Sequence, residues 1–217
     1  MKRFALFTDK ESFDEALPRQ ADKDFIYKAN FNISKGESVP ALHQPKKKLI
    51  LDSMIWGWES KGHESMLSLS MDDISVDGSE KTTRCLIPAN GFYVWKHGVD
   101  DPYPFYIRMI NEPLFFMAAL YRDIKDDSGH NRHHFCLIEE TANELVKAVN
   151  PMMPLIISND QFDAWLNGED LKSFASENDP LQLGSFITAR VSERVNNSSE
   201  NDSELIQPIP KLRDSDD

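Results

Sequence analysis

The sequence predicts an α+β fold: one strand-rich domain built on a mixed or largely antiparallel sheet, partly closed into a barrel and flanked by short helices. Three observations lead there. Apolar runs of strand length outnumber helical patterns, and they do not alternate with helices as a βαβ protein requires. No stretch has linker composition and no internal repeat is present, so the 217 residues read as a single domain, 1–217, ending in a frayed acidic tail over 210–217. The third observation is the stretch over residues 83–95. It opens as the apolar run Cys85-Leu86-Ile87, breaks at Pro88-Ala89-Asn90-Gly91, and resumes with Phe92, Tyr93 and Trp95. Pro88 fixes its own φ and Asn-Gly readily takes positive φ, so this reads as buried strand, sharp turn and second strand: a core hairpin.

The other elements follow in order. Thr8-Asp9-Lys10-Glu11 is a capping box, and Phe13, Ala16 and Leu17 lie at helical spacing behind it, ended by Pro18. Residues 25–33 read as an irregular strand, 49–58 as a strong one, 59–63 as a loop, 66–74 as another strand and 77–79 as a turn. Residues 103–110 and 114–121 are two strands joined through Asn111-Glu112-Pro113. Residues 126–130 form a polar turn, which the histidines His130, His133 and His134 accompany into a short buried strand over 135–138. Thr141-Ala142-Asn143-Glu144 is a second capping box, before a helix with Leu145, Val146 and Val149 on one face. Residues 155–157 are a strand. Ser158 and Gln161 cap a third helix carrying Phe162 and Trp165 and closed by Gly168. Leu171, Phe174 and Ala175 suggest a fourth. Residues 186–191 are a strand, and 196–203 a polar loop.

Composition bounds function. A hydrophobic fraction of 40% supports a real core, and a net charge of −12 repels nucleic acid at long range. No apolar run is long enough to span a bilayer, and carboxylates follow Met1-Lys2-Arg3 too soon for a signal peptide, so a cytoplasmic protein without membrane contact is expected. Cys85 and Cys136 sit inside apolar runs and read as buried structural thiols. The histidines have no spaced carboxylate or thiol partners, so no metal and no cofactor is expected. The sequence contains no phosphate-binding loop, dinucleotide fingerprint, GxSxG or HExxH.

The stretch Arg84-Cys85-Leu86-Ile87-Pro88-Ala89-Asn90-Gly91-Phe92-Tyr93-Val94-Trp95 resembles the RCLVPADGFYEW segment of SRAP proteins, the SOS-response-associated peptidase family. Further stretches are similar to that family in the same order: Trp56-Gly57, Tyr103-Pro104-Phe105-Tyr106-Ile107 with Phe116-Met117-Ala118-Ala119-Leu120-Tyr121, Thr141-Ala142-Asn143-Glu144-Leu145 with Met153-Pro154-Leu155-Ile156-Ile157, and Val191-Ser192-Glu193-Arg194-Val195-Asn196-Asn197 with Glu204-Leu205-Ile206-Gln207-Pro208. The resemblance implies a single α+β domain with a small barrel. It also implies single-stranded DNA binding and capture of abasic sites, in which the amine and thiol of an N-terminal Cys close a thiazolidine on the opened sugar, assisted by a Glu and a His.

This sequence departs from the family at each chemical position. Lys2 is the nearest match to the Cys, with one residue missing beside it; Val94 stands for the Glu, Asn150 for the His and Met152 for an Arg. Ser68 and Ser70 stand for an Asn and an Arg that hold the site. Arg3, Trp56, Arg84 and Trp95 survive as DNA-binding candidates, although core packing accounts for the two tryptophans at least as well as base stacking, and Arg84 reads equally as a surface charge. Lys2 is large, so Met1 is expected to stay, and Met1 carries a thioether in place of a thiol. The expectation is a monomeric, catalytically degenerate family member that forms no DNA–protein cross-link and is at most a module binding single-stranded DNA weakly, or a protein partner. The alternative is an abasic-site enzyme using Lys2 as a Schiff-base amine. Peptidase activity lacks a nucleophile, a base and an acid.

Overall fold

The core of the protein is a ring of five strands. The computed structural model describes residues 1–17, 22–23, 27–58, 65–74, 82–96, 102–175 and 186–210. Its strands are β1 Arg3–Leu6, β2 Asp22–Lys23, β3 Asn30–Ile33, β4 Ser38–His43, β5 Ile50–Trp56, β6 Ser68–Ser70, β7 Thr83–Ala89, β8 Gly91–Lys96, β9 Tyr103–Met109, β10 Phe115–Lys125, β11 Asn131–Thr141, β12 Met152–Pro154, β13 Ile156–Ile157 and β14 Phe186–Arg190. The helices are short: α1 Lys10–Ala16, α2 Glu144–Lys147 and α3 Phe162–Leu166. Strands β11, β10, β7, β4 and β5 pair in that order, antiparallel throughout. The ring closes where β5 meets β11 in parallel, with Ile55 opposite His134 and Trp56 opposite Phe135. Closure removes the exposed edges that an open sheet would leave. A second, all-antiparallel sheet runs β14-β9-β8-β1-β3.

The two sheets meet at the motif around which the sequence is organised. The hairpin expectation needs correction here: β7 belongs to the barrel and β8 to the second sheet, and the two strands do not pair. Asn90 is the joint. Its backbone N–H donates to Ala5 O at 2.8 Å, and its side-chain Oδ1 accepts from the N–H groups of Phe7 and Thr8 at 2.6 and 3.0 Å. Its Nδ2 donates to Thr8 Oγ1 and to Pro113 O, each at 2.5 Å. One amide thus ties the end of β1 and the loop before β10 to the crossing. Gly91 is not in the left-handed region. A Cβ there would lie 2.3 Å from Tyr106 Cζ and 2.6 Å from Ile107 O, so glycine is required for close approach and not for positive φ.

Alternation along β8 and β1 assigns two cores. Phe4, Leu6, Phe92 and Val94 join the main core with Trp56, Phe135 and the barrel interior. Ala5, Tyr93 and Tyr106 point the other way, against Val191, Val195 and Leu205 of the C-terminal segment. Cys85, Leu86, Phe92, Tyr93 and Phe116 are all buried, as the sequence suggests. Both thiols are buried, and burial pushes Cys85 well above the usual thiol range and Cys136 up to about 12.

Several elements differ from their sequence reading. The cap of α1 is Asp9, accepting from Ser12 N, not Thr8. Residues 66–74 hold only the three-residue β6 and a 3-10 turn. β11 is eleven residues long, so His133 and His134 are strand residues; pairing with β10 outweighs their polarity. α2 is a single turn capped by Asn143, ending well before Pro151. The capping box of Ser158 and Gln161 is present, and it opens a 3-10 turn that runs into α3. Pro18, the loop over 59–63, the turn over 77–79, part of the strand over 25–33, and the tail from 211 lie outside the described residues.

Asn90→Ala leaves several polar groups without their partner at the sheet junction. It is expected to lower unfolding free energy by about 2–4 kcal/mol, since each buried unsatisfied group costs about 1–3 kcal/mol. Gly91→Ala should cost at least as much, through the clash with Tyr106 and the Ile107 carbonyl. Urea denaturation measures both, and variants within about 0.5 kcal/mol of the parent would contradict this account of the joint.

Candidate functional site

β1 lies between β3 and β8, and this carries the start of the chain to the side of the barrel strand β11. There a pocket of about 470 Å³ is lined by Met1, Lys2, Arg3, Val94, Trp95, Glu139 and Asn150, among others. The Met1 side chain packs against the main core and is 1% exposed. Anchored in this way, its α-ammonium donates to Glu139 Oε1 at 2.6 Å and to Ser68 Oγ at 3.2 Å. The Ser68 hydroxyl in turn donates to Glu139 Oε2 at 2.5 Å. Ser68 reaches this position because β6 runs parallel to β11, pairing Leu137 with Ser68 and Glu139 with Ser70. The side chain of Glu139 is 16% exposed. An ammonium–carboxylate pair this sheltered is held in one geometry more firmly than a surface pair.

The fold brings together four positions that the sequence keeps far apart: Lys2, Ser68, Val94 and Asn150. Lys2 is exposed at the rim. Val94 is 5% exposed and offers an apolar wall. Asn150 Oδ1 accepts from Met152 N at 3.0 Å, which fixes its amide as part of a turn. Ser70 caps the 3-10 turn that follows β6. Two of the surviving candidates, Arg3 and Trp95, line the pocket. Arg3 Nη1 donates to Lys2 O, and burial lowers the guanidinium from its ordinary value, against a raising influence of Glu37. Trp95 Nε1 donates to Asn196 Oδ1 at 2.9 Å.

The other two candidates lie elsewhere. Trp56 is fully buried, donates to Leu67 O at 3.0 Å and packs edge-on to Phe4 and stacked on Phe135. Both faces of its ring are therefore covered by the core. Arg84 lies over the Trp165 ring at 4.4 Å and donates to Trp165 O. It fastens α3 to the outside of β7 and does not line the pocket.

Glu139 escaped the sequence reading. The only signal was a pair of carboxylates ending the apolar run over 135–138, and nothing in the sequence places them beside Met1. The nitrogen held at this carboxylate is the α-amine of Met1, and Lys2 stands exposed beside it.

A second titratable cluster occupies one mouth of the barrel. His43 Nδ1 lies 3.0 Å from Tyr121 Oη, and His133 Nδ1 lies 2.6 Å from Asp123 Oδ1. Asp52 Oδ2 lies 3.6 Å from His133 Nε2 and 4.0 Å from His43 Nε2. Among the described residues, no group of three or more His, Cys, Asp and Glu is placed to hold a metal ion. Burial, then the neighbouring His133, pushes His43 down to about 4, while Asp52 and Asp123 oppose this.

A closed five-stranded barrel with an adjoining antiparallel sheet defines a strand-rich α+β fold, with a pocket lined by Met1, Lys2 and Arg3 beside β11. The family model of the SOS response associated peptidases (SRAP) matches residues 2–198, and the chain belongs to that family. It is 25% identical to the abasic site processing protein YoqW of Bacillus subtilis, over 94% of this chain and 98% of that protein. It is 23% identical to the abasic site processing protein YedK of Escherichia coli, over 95% and 99%. Among solved structures, a protein from Bacteroides thetaiotaomicron shares the fold with a TM-score of 0.68 at 20% identity, over 94% of this chain and 92% of that one. A phage-related protein from Bordetella bronchiseptica does so with a TM-score of 0.68 at 20% identity, over 89% and 95%. No described helix is long and apolar enough to cross a membrane.

His43 supplies a pH prediction. Its folded-state value lies below the ordinary 6.5, so the unfolded chain is protonated first as pH falls. Folding stability is therefore lost between about pH 6.5 and pH 4. The drop in melting temperature from pH 7 to pH 4.5 is expected to be smaller in His43→Gln than in the parent; equal drops would contradict the assignment.

Proposed function

We propose that this chain is an abasic-site-related SRAP protein that has lost thiazolidine chemistry and works as a weak single-stranded-DNA-binding module. The observation that carries this reading is the composition of the pocket wall. Val94 and Asn150 line the same pocket as Met1, and neither side chain can exchange a proton near neutral pH. The thiols cannot substitute, because Cys85 and Cys136 are buried within the barrel core. A thiazolidine needs a thiol on the same residue as the amine, and Met1 offers a thioether. The names of the relatives, abasic site processing proteins, support the DNA context.

Arg3 and Trp95 are the pair through which a strand would be held: a cation for phosphate and a half-buried ring at the pocket rim for stacking. Arg3 Nε is buried without an acceptor among the described residues, so only the outer guanidinium nitrogens could meet a phosphate. Against this stand the carboxylate of Glu139 in the pocket and the overall charge of −12. Few phosphates can be neutralised, so affinity falls steeply with salt. A protein partner on the same surface is the competing occupant. The Lys2 Schiff-base reading has less support, because Lys2 stands exposed at the rim while the Met1 amine is the nitrogen at the carboxylate.

Two measurements test this. Incubation with an oligonucleotide carrying one abasic site, followed by a denaturing gel without reductant, is expected to give no shifted band; a stable adduct would overturn the proposal. Fluorescence anisotropy with a labelled single strand should show weak binding at low salt, largely lost at physiological salt. Arg3→Ala should weaken the low-salt binding by about three- to tenfold, whereas Arg84→Ala should leave it unchanged.

A further inference from the structure

We propose that Asp52, His133 and His43 form a pH-sensitive latch on the closing seam of the barrel: protonated His133 holds the Asp52 carboxylate across the seam, and loss of that proton releases the carboxylate towards His43. The latch lies at the mouth of a cavity of about 430 Å³, and it depends on neither the Met1 pocket nor the DNA reading above.

The seam is short. β5 and β11 meet through two residue pairs, Ile55 with His134 and Trp56 with Phe135, against seven between β10 and β11. One backbone bond continues it, from Gly57 N to Phe135 O at 2.8 Å, and His134 Nδ1 lies 2.8 Å from Gly57 O. His133 stands at the end of this seam. It is opposite Asp123 on β10, and its Nδ1 lies 2.6 Å from Asp123 Oδ1. Its Nε2 reaches across to β5, 3.6 Å from Asp52 Oδ2. That contact is a side-chain link between the two strands that close the ring.

The charge on His133 decides the sign of that contact. A carboxylate can only accept, so Asp123 keeps the hydrogen on Nδ1 in either state. In the imidazolium, Nε2 also carries a hydrogen towards Asp52, and the cation lies between two carboxylates. After deprotonation, Nε2 presents a lone pair to an anionic oxygen, and attraction becomes repulsion. A second partner is already in place. His43 Nε2 lies 4.0 Å from the same Asp52 oxygen and is buried without a hydrogen-bond partner among the described residues. Its Nδ1 is 3.0 Å from Tyr121 Oη, and burial raises that phenol above its ordinary value, so the hydroxyl keeps its hydrogen and donates. The hydrogen of neutral His43 is then on Nε2, facing Asp52. Asp52 Oδ1 accepts from Ser53 N at 2.6 Å, so the carboxylate turns about one anchored oxygen and moves the other. Arg122, the remaining charged group lining the cavity, is a fixed cation that does not titrate.

The test reads the parent chain first. NMR follows the His133 ring as pH rises from about 6 to about 9, across the ordinary imidazole range; His43, held down to about 4, stays neutral there. Hydrogen exchange gives protection factors for the Gly57 amide at the seam and for the Asn90 amide, bonded to Ala5 O at the sheet junction, as a control. Protection at Gly57 is present below the measured His133 midpoint and is expected to fall about three- to tenfold above it, the range between an exposed ion pair and a charged hydrogen bond. Asn90 should not respond. Over the same titration the His43 Nε2 proton should move downfield as it gains the carboxylate. Both responses are expected to vanish in Asp52→Asn and in His133→Gln, and to persist in His130→Gln, which alters an exposed imidazole of the same hairpin. Constant Gly57 protection through the His133 titration, an equal fall at Asn90, an unshifted His43 proton, or a response retained in Asp52→Asn would each overturn the inference. The first three readings come from the unmodified chain, so the test does not depend on a variant that folds.

Discussion

The side-chain amide of Asn90 is the interaction on which the rest of the architecture depends. It sits where the chain leaves the barrel for the second sheet, and it donates and accepts in four directions at once. A buried amide of this kind is stabilising only when every group is satisfied. Here the satisfied groups belong to three separate parts of the chain: the end of β1, the β7–β8 crossing and the loop before β10. Gly91 completes the joint by letting the Tyr106 ring lie where a Cβ would stand. Together they fix the angle at which β8 enters the second sheet, and β8 is the strand that β1 must pair with.

The pocket follows from that pairing. β1 hydrogen-bonds to β8 with Arg3 opposite Tyr93 and Ala5 opposite Gly91. This register sends Phe4 into the main core and directs Met1 towards β11, where β6 supplies Ser68 and β11 supplies Glu139. The ion pair at the amine therefore links the second sheet to the barrel. Removing one partner would leave a sheltered charge unmatched, which costs more than the pair itself contributes. The N-terminal contact is thus part of the fold as well as of the site, and the two roles share one carboxylate.

This arrangement separates the residues that carry the fold from those that line the pocket. The barrel, the crossing and the strand order depend on apolar alternation, on Asn90 and on Gly91, all of which are present. The pocket is lined by other side chains, among them Met1, Val94, Glu139 and Asn150. Fold and pocket rest on different residues, so one can persist while the other changes. The pocket also holds the Met1 α-amine at 2.6 Å from Glu139 Oε1.

The sequence by itself determined the α+β class, its strand-rich character, most strand positions, the burial of both cysteines and the family. These are legible because local alternation and an ordered set of motifs are written residue by residue. Tertiary structure alone decided that residues 83–96 are two strands in different sheets and not a hairpin, since turn residues do not reveal which partner a strand will choose. It decided where Trp56 and Arg84 lie, because exposure depends on what packs over them: Phe4 and Phe135 in one case, α3 in the other. It decided above all that Glu139, remote from Met1 along the chain, holds the α-amine. That contact arises from the β1–β8 register, the β6–β11 pairing and the closure of the barrel acting together, and no local pattern of residues encodes it.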